Sequence, residues 1–350
     1  MLTSNQIINF TLFTPKEDIE SALDLMTDPF ANIIINQEDF ESEYKIIQDE
    51  IITMVKYNKN KALTIKRQLL SKNKELRNTE AWPAGSIETL EKIKIEDIKM
   101  FINEYFNKEN LVVSVAGNIT KREALRLIEK YINPRIKDNG RVGFDFNQFL
   151  GYKARTRAIK VKPDEKGKAY FSLNYNYCEN KSRYNTAIFN ILSSVLYEQI
   201  FSFYRDKNNL CYGASGEFCY HNIYESVFIT IECQQNNLQK IIDKFKELKT
   251  ILSQPLDKNL FDKHKKKIIG MVNLDNKKVR NLAINLYSQY DQFGDILTKR
   301  ESKKFFKKVK NITYEEANEI YQKFLKVRPI VTIVSEDDIK INFKDFYNAN

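Results

Sequence analysis

Two glutamates seven residues apart, Glu43 and Glu50, are the first residues whose type and spacing invite chemistry. Seven residues is nearly two helical turns, so both carboxylates lie on one side of a helix. A pair so placed can face a metal ion, or it can be an ordinary solvated helix face. The spacing itself does not choose. Histidine does not settle it either. The chain has two, His221 and His264, and neither has a second histidine at helical spacing. No two-histidine zinc site can therefore be built from this chain alone. The four cysteines, Cys178, Cys211, Cys219 and Cys233, show neither C-x-x-C spacing nor the density of a disulfide framework. They read as reduced, buried or half-buried thiols.

The helix that must carry the two glutamates is expected from about Asn36 to Lys56, with Phe40, Tyr44, Ile47, Ile51 and Met54 on its apolar stripe. Before it, Gln6 to Phe13 alternates apolar and polar residues, a strand pattern. Thr14-Pro15-Lys16-Glu17 is a capping box with proline at the first helical position, and it predicts a helix to about Met26 with Pro29 just beyond its end. A helical pattern covers Lys61 to Ser71, and Trp82-Pro83-Ala84-Gly85 makes a turn. Thr120-Lys121-Arg122-Glu123 is a second capping box, opening a helix to about Tyr131. The polar stretch that follows, with Pro134, Gly140, Gly143 and Gly151, reads as a linker between domains.

In the second half, strands are expected at about 156–162, 168–178, 211–220 and 225–234. Helices are expected at about 183–204, 238–252, 257–274 and 279–292. One stretch ties the halves together. Ile93 to Gly117 recurs as Ile312 to Glu336, without a gap, at a constant offset of 219. Ile93 matches Ile312, Glu96 matches Glu315, Phe101 lies over Ile320, and Val112 and Val115 match Val331 and Val334. Each copy has an acidic first turn, a helical apolar spacing, a polar break and a β-branched strand. Acidic residues suit a helix N-terminus because they oppose the positive end of its dipole. A period this long signals domain duplication. Strand 7–13 then corresponds to strand 227–233, and helix 15–26 to helix 238–252. The second half has about 55 residues before its matching strand, holding two strands, a long helix and another strand, where the first half has six. The first domain is therefore expected to be N-terminally incomplete, either truncated or completed by something else.

The fold class is expected to be α+β, with two related domains, each a mainly antiparallel sheet packed by helices on one face. The first domain is placed at 1–137, a linker at 138–155 and the second domain at 156–350. The chain carries a net charge of +10, but its lysines are scattered among acids. The densest basic runs, His264–Lys267 and Lys303–Lys310, are interrupted by apolar residues at helical spacing and read as solvated helix faces, which argues against nucleic-acid binding. No apolar run approaches the roughly 18 residues needed to span a bilayer. The N-terminus shows no secretory signal, so a cytoplasmic location is expected.

Taken in order, these pieces resemble the pitrilysin/insulinase-type zinc metallopeptidases, the inverzincins, and especially subunits like those of mitochondrial processing peptidase. The resemblance rests on Phe40 to Ile51, on Gly85 to Ile98 with Tyr105-Phe106 and Val112 to Asn118, on Arg205 to Tyr212, and on the duplicated plan. In that family zinc is held by the two histidines of H-x-x-E-H and a downstream glutamate, and the motif's own glutamate activates water. The resemblance implies that Glu50 matches the downstream metal ligand and Glu43 a carboxylate that orients the ligands. Arg205 and Tyr212 match a pair that reaches the substrate and donates hydrogen bonds to a developing oxyanion. No H-x-x-E-H occurs in the 350 residues. The implied function is therefore a non-catalytic or truncated metallopeptidase subunit, inactive alone. It would contribute Arg205 and Tyr212 to peptide hydrolysis in a heterodimer with an H-x-x-E-H-bearing partner. Zinc is expected only in the complete complex, with no cofactor in the isolated chain. The alternative is a pseudoenzyme that binds peptides or serves a structural role without hydrolysis.

Overall fold

A computed structural model of the chain describes residues 2–3, 7–56, 60, 84–140, 158–162, 166–177, 182–220, 225–275 and 278–346. Cys178, His221, Trp82-Pro83, the helical pattern at 61–71 and most of the expected linker lie outside the described residues. The chain divides into two compact units. One comprises residues 1–52, 82–145 and 273–296, and the other residues 53–81, 146–272 and 297–350.

The second unit is built on a five-stranded sheet of β3 (Ala158–Val161), β4 (Lys168–Tyr177), β5 (Gly213–Tyr220), β6 (Glu225–Gln234) and β7 (Ile330–Val334), in the order β3-β7-β4-β6-β5. β4 is central. It pairs antiparallel with β6 along its whole length and antiparallel with β7 on its other edge. β3–β7 is the one parallel pair described in this sheet. The long helix Arg183–Phe201 lies against the sheet, with Ile188, Ile191, Leu192, Val195, Leu196 and Ile200 buried in a single core with Phe171, Leu173, Tyr175, Ile229 and Ile231. Gly216 allows this close approach. A Cβ there would stand 2.7 Å from Ile200 Cδ1 and closer still to Leu196. The α+β expectation and the strand positions of this half hold to within a residue or two.

The first unit follows the sequence less closely. The helix α1 (Ile19–Ala31) begins later than the capping box implies, because Lys16–Asp18 form a 3₁₀ turn first and Pro15 offers no side-chain cap. It also continues past Met26, with Pro29 in its last turn. α2 (Gln37–Lys56) and α3 (Ile95–Tyr105) form as expected. At the second capping box, Thr120 Oγ1 accepts from the Glu123 amide at 3.2 Å, opening the helix Lys121–Leu127 and a π-helical stretch Ile128–Ile132. The strand expected at 6–13 is reduced to β2 (Ile8–Asn9), paired antiparallel with β1 (Leu2–Thr3). The strand expected at Val112 to Gly117 belongs to no sheet among the described residues. Extended segments become strands only when a neighbour completes the ladder, and no such neighbour is described here.

The duplicated helices confirm the offset of 219 in three dimensions. α3 and the helix Tyr314–Phe324 have bounds that differ by that number at both ends. Both are closed at the N-terminus by the same device. Asp97 accepts from the Lys94 amide at 2.8 Å, and Glu316 from the Thr313 amide at 2.8 Å. Each satisfies an amide that the helix leaves without an internal partner. Around α1, Glu20 accepts from Arg126, from Lys130 at 2.8 Å and from the Tyr131 hydroxyl at 2.8 Å. Arg135 bonds the Asp24 carbonyl at 2.7 Å and Thr27 Oγ1 at 2.6 Å. The helix Val279–Phe293 belongs to this unit, where Ser114 Oγ donates to the Ala283 carbonyl at 2.5 Å.

Candidate functional site

Arg205 and Tyr212 come together at the end of the helix Arg183–Phe201. The helix passes into a π-helical stretch, Ser202–Lys207, and the chain then reverses through Asn209, whose φ is 51°. Asparagine is among the few residues other than glycine that accept this left-handed conformation readily. The Leu210 amide closes the turn on the Tyr204 carbonyl at 2.9 Å, and Asn237 Nδ2 holds the Leu210 carbonyl at 3.1 Å. β5 then starts at Gly213.

Within this reversal, Arg205 Nη1 donates to the Tyr212 carbonyl at 2.9 Å and to the Cys211 carbonyl at 3.3 Å. Its guanidinium lies 5.7 Å from the centroid of the Tyr212 ring, a cation–π distance. One face of the arginine is thus used to hold the loop. Tyr212 itself is 71% exposed, with its ring presented to solvent. Arg205, Asn209, Cys211, Tyr212, Gln234 and Asn237 line a cavity of about 240 Å³ that combines a cation, three amide side chains, a thiol and a phenol. Such a set offers hydrogen-bond donors to a peptide carbonyl. Burial pushes the Cys211 thiol up to about 11, so it is a wall of the cavity and not a nucleophile. The roles of Asn209 and Asn237 were not read from the sequence. The Asn208-Asn209 pair after a helix was the available signal for the left-handed turn.

Glu43 and Glu50 both lie on α2 in the first unit, and both are exposed. Among the described residues no group of three histidines, cysteines, aspartates or glutamates is placed to hold a metal ion. His264 is buried in the second unit, with Nε2 2.8 Å from Glu198 Oε2 and no partner on Nδ1 among the described residues. The Lys263 ammonium, 2.6 Å away, holds the same Glu198 carboxyl below the usual carboxylate range, so this carboxylate is already engaged. Zinc takes three or four nitrogen, sulfur or oxygen ligands. Among the described residues, Glu43 and Glu50 do not by themselves supply that set.

Residues 92–268, just over half of the chain, match the family described as the peptidase M16 inactive domain. The chain belongs to this family. The pitrilysin-type resemblance read from its motifs holds. A curated relative, an uncharacterised zinc protease of Bacillus subtilis, is 23% identical over 238 residues, covering 66% of this chain and 55% of its own length. The M16 chain thus spans about half the length of the curated relative it matches. In fold it is similar to a protease from Helicobacter pylori, at 15% identity and a TM-score of 0.76, over 92% of this chain and 78% of that one. It is also similar to the peptidase M16 inactive domain from Pseudomonas fluorescens, at 12% identity and a TM-score of 0.75, over 93% and 77% of the two chains. Among the described residues no helix is long and apolar enough to cross a membrane.

Proposed function

We propose that this M16 chain is the subunit of a two-chain metallopeptidase that presents Arg205 and Tyr212 to the peptide, while a partner carries H-x-x-E-H. The reading rests on one observation. An exposed phenol and a guanidinium meet in the lining of one cavity, in a sequence with no H-x-x-E-H. In this proposal the Tyr212 hydroxyl and the remaining Arg205 N–H groups donate to the substrate carbonyl oxygen, where added charge strengthens them. In the same proposal Glu50 is the carboxylate this chain would offer toward a metal whose other ligands come from the partner, and Glu43 would orient the ligands. The division into domains at 1–137 and 156–350, joined by 138–155, and a cytoplasmic location belong to the same proposal.

A second reading, a pseudoenzyme that binds peptide without hydrolysis, is favoured by a different observation. Arg205 Nη1 is already committed to two carbonyls of its own loop. The two readings part in one experiment. The chain is co-expressed with an H-x-x-E-H chain from the same source, and peptide hydrolysis and bound zinc are measured for the pair and for each chain alone. The paired reading expects turnover and zinc in the pair, and neither in this chain by itself. A stable pair whose turnover equals that of the partner alone would leave the pseudoenzyme reading. Turnover by this chain in contaminant-free form would overturn both.

A further inference from the structure

We propose that the cavity at Arg205 is a carboxylate site, which takes the carboxylate of a peptide, either an acidic side chain beside the bond to be cut or the peptide's own C-terminus. That the ligand is a peptide rests on the reading above. That it carries a carboxylate rests on the cavity.

The charge in this cavity lacks a counter-charge. Arg205 is half-buried, and no residue of the lining is acidic. Beyond the Cys211 and Tyr212 carbonyls and the Tyr212 ring, Arg205 has no partner among the described residues. Asp206, next in the chain, is exposed and forms no ion pair with it among those residues. Carbonyl oxygens are dipoles and leave the net charge in place. Cys211 does not cancel it either, because burial raises its thiol and keeps it protonated.

An arginine so placed is matched by a ligand with two acceptor oxygens, because its planar N–H groups form a fork of carboxylate geometry. Nη1 is spent on the loop, which leaves Nε and Nη2. Their parallel N–H groups are one such fork. The outer Nη2 N–H and the Tyr212 hydroxyl stay available for the carbonyl oxygen of the bond to be cut.

The rest of the lining suits the same guest. Asn209 and Gln234 contribute carboxamides that have no side-chain partner among the described residues. A carboxamide carries two N–H donors that can turn toward an anion. Gln234 closes β6, a strand paired along both edges, so its place does not depend on the Arg205 loop. The volume of about 240 Å³ is below the roughly 300–1,000 Å³ of a site that encloses a whole small molecule. It suits a single side chain or a chain end.

The test is isothermal titration calorimetry of the full chain at low salt with three peptides of the form acetyl-Gly-Ala-Xaa-Ala-Gly. One has glutamate at the centre and a C-terminal amide. One has glutamine and a free C-terminal carboxylate. The third has glutamine and a C-terminal amide, and is neutral. At least one carboxylate peptide is expected to bind ten-fold or more tightly than the neutral one, and which of the two does so names the source. Arg205→Gln should abolish that advantage. Lys207→Gln, which removes an exposed cation outside the lining, should keep it. Gln234→Glu places a carboxylate in the lining without touching the loop and should also abolish it, so the outcome does not hang on the folding of Arg205→Gln. Equal binding of all three peptides, or no binding of any, would overturn the carboxylate site and leave the paired reading to its own turnover measurement. An advantage lost as fully in Lys207→Gln would overturn it too, as an effect of overall surface charge. A carboxylate advantage in this chain, beside a pair whose turnover equals that of the partner alone, would keep the site and overturn the paired reading.

Discussion

Arg205 Nη1 donates to the carbonyl oxygen of Tyr212 at 2.9 Å, while the guanidinium sits over the ring of the same residue. The arginine therefore shapes the loop that displays the tyrosine. Stability and turnover should separate between the two residues. Arg205→Ala loses two carbonyl bonds and the ring contact, at about 1 kcal/mol in a half-exposed setting. Tyr212→Phe removes an exposed hydroxyl and should shift stability by less than about 0.5 kcal/mol. In an active pair, removal of an oxyanion donor lowers kcat about 10²–10³-fold. Denaturant midpoints and single-turnover rates on Tyr212→Phe form the decisive comparison. Full activity in that variant would make the tyrosine a bystander.

Thiol reactivity provides a second check. Burial pushes the Cys211 thiol up to about 11 and Cys233 up to about 12. At pH 8 almost none of either is thiolate, and the thiolate is the reactive form. Iodoacetamide labelling followed by peptide mass spectrometry should therefore find both cysteines unmodified in the folded chain and labelled in denaturant. Rapid labelling of Cys211 in the native state would show that the cavity wall is wrongly described.

The Glu20 cluster should make the first unit acid-sensitive. Hydrogen bonds from Lys130, Arg126 and Tyr131 lower the Glu20 carboxyl from 4.5 to about 2. A carboxyl lowered by folding contributes stability that is complete above its unfolded value, and that stability is lost as pH falls through the folded value. The window here runs from about 4.5 down to about 2. The difference in urea midpoint between the native chain and Glu20→Gln should be constant from pH 7 to 5 and should vanish toward pH 2. A difference independent of pH would remove the charge from the explanation.

Val115 and Val334 hold equivalent places in the repeat, and a pair of truncations reads out their environments. Val334→Ala removes two buried methyl groups and should cost roughly 2 kcal/mol. Val115→Ala, in the isolated chain, should cost less than about 0.5 kcal/mol. Equal losses, measured by chemical denaturation, would mean that Val115 is covered as Val334 is.

The sequence alone carried the resemblance to the family through its motifs, and it determined the repeat and nearly every element of the second half, because repeat and elements follow from local information. The 3.6-residue and two-residue periodicities mark helices and strands, acidic residues mark helix starts, and the offset of 219 is carried to the matching ends of α3 and the helix Tyr314–Phe324. Tertiary structure decided what those patterns become. Val112 to Val115 has the apolar sequence of a strand and forms none among the described residues, because a strand's hydrogen bonds belong to its neighbour. The capping box at Thr14 gave way to a 3₁₀ turn at Lys16–Asp18, and α1 starts only at Ile19, where it packs against the stretch Ile128–Ile132. Arg205 and Tyr212 could be paired by spacing alone. Only the fold showed that the arginine spends one nitrogen on the tyrosine's own carbonyl, because that contact depends on a left-handed turn at Asn209 that no periodicity encodes.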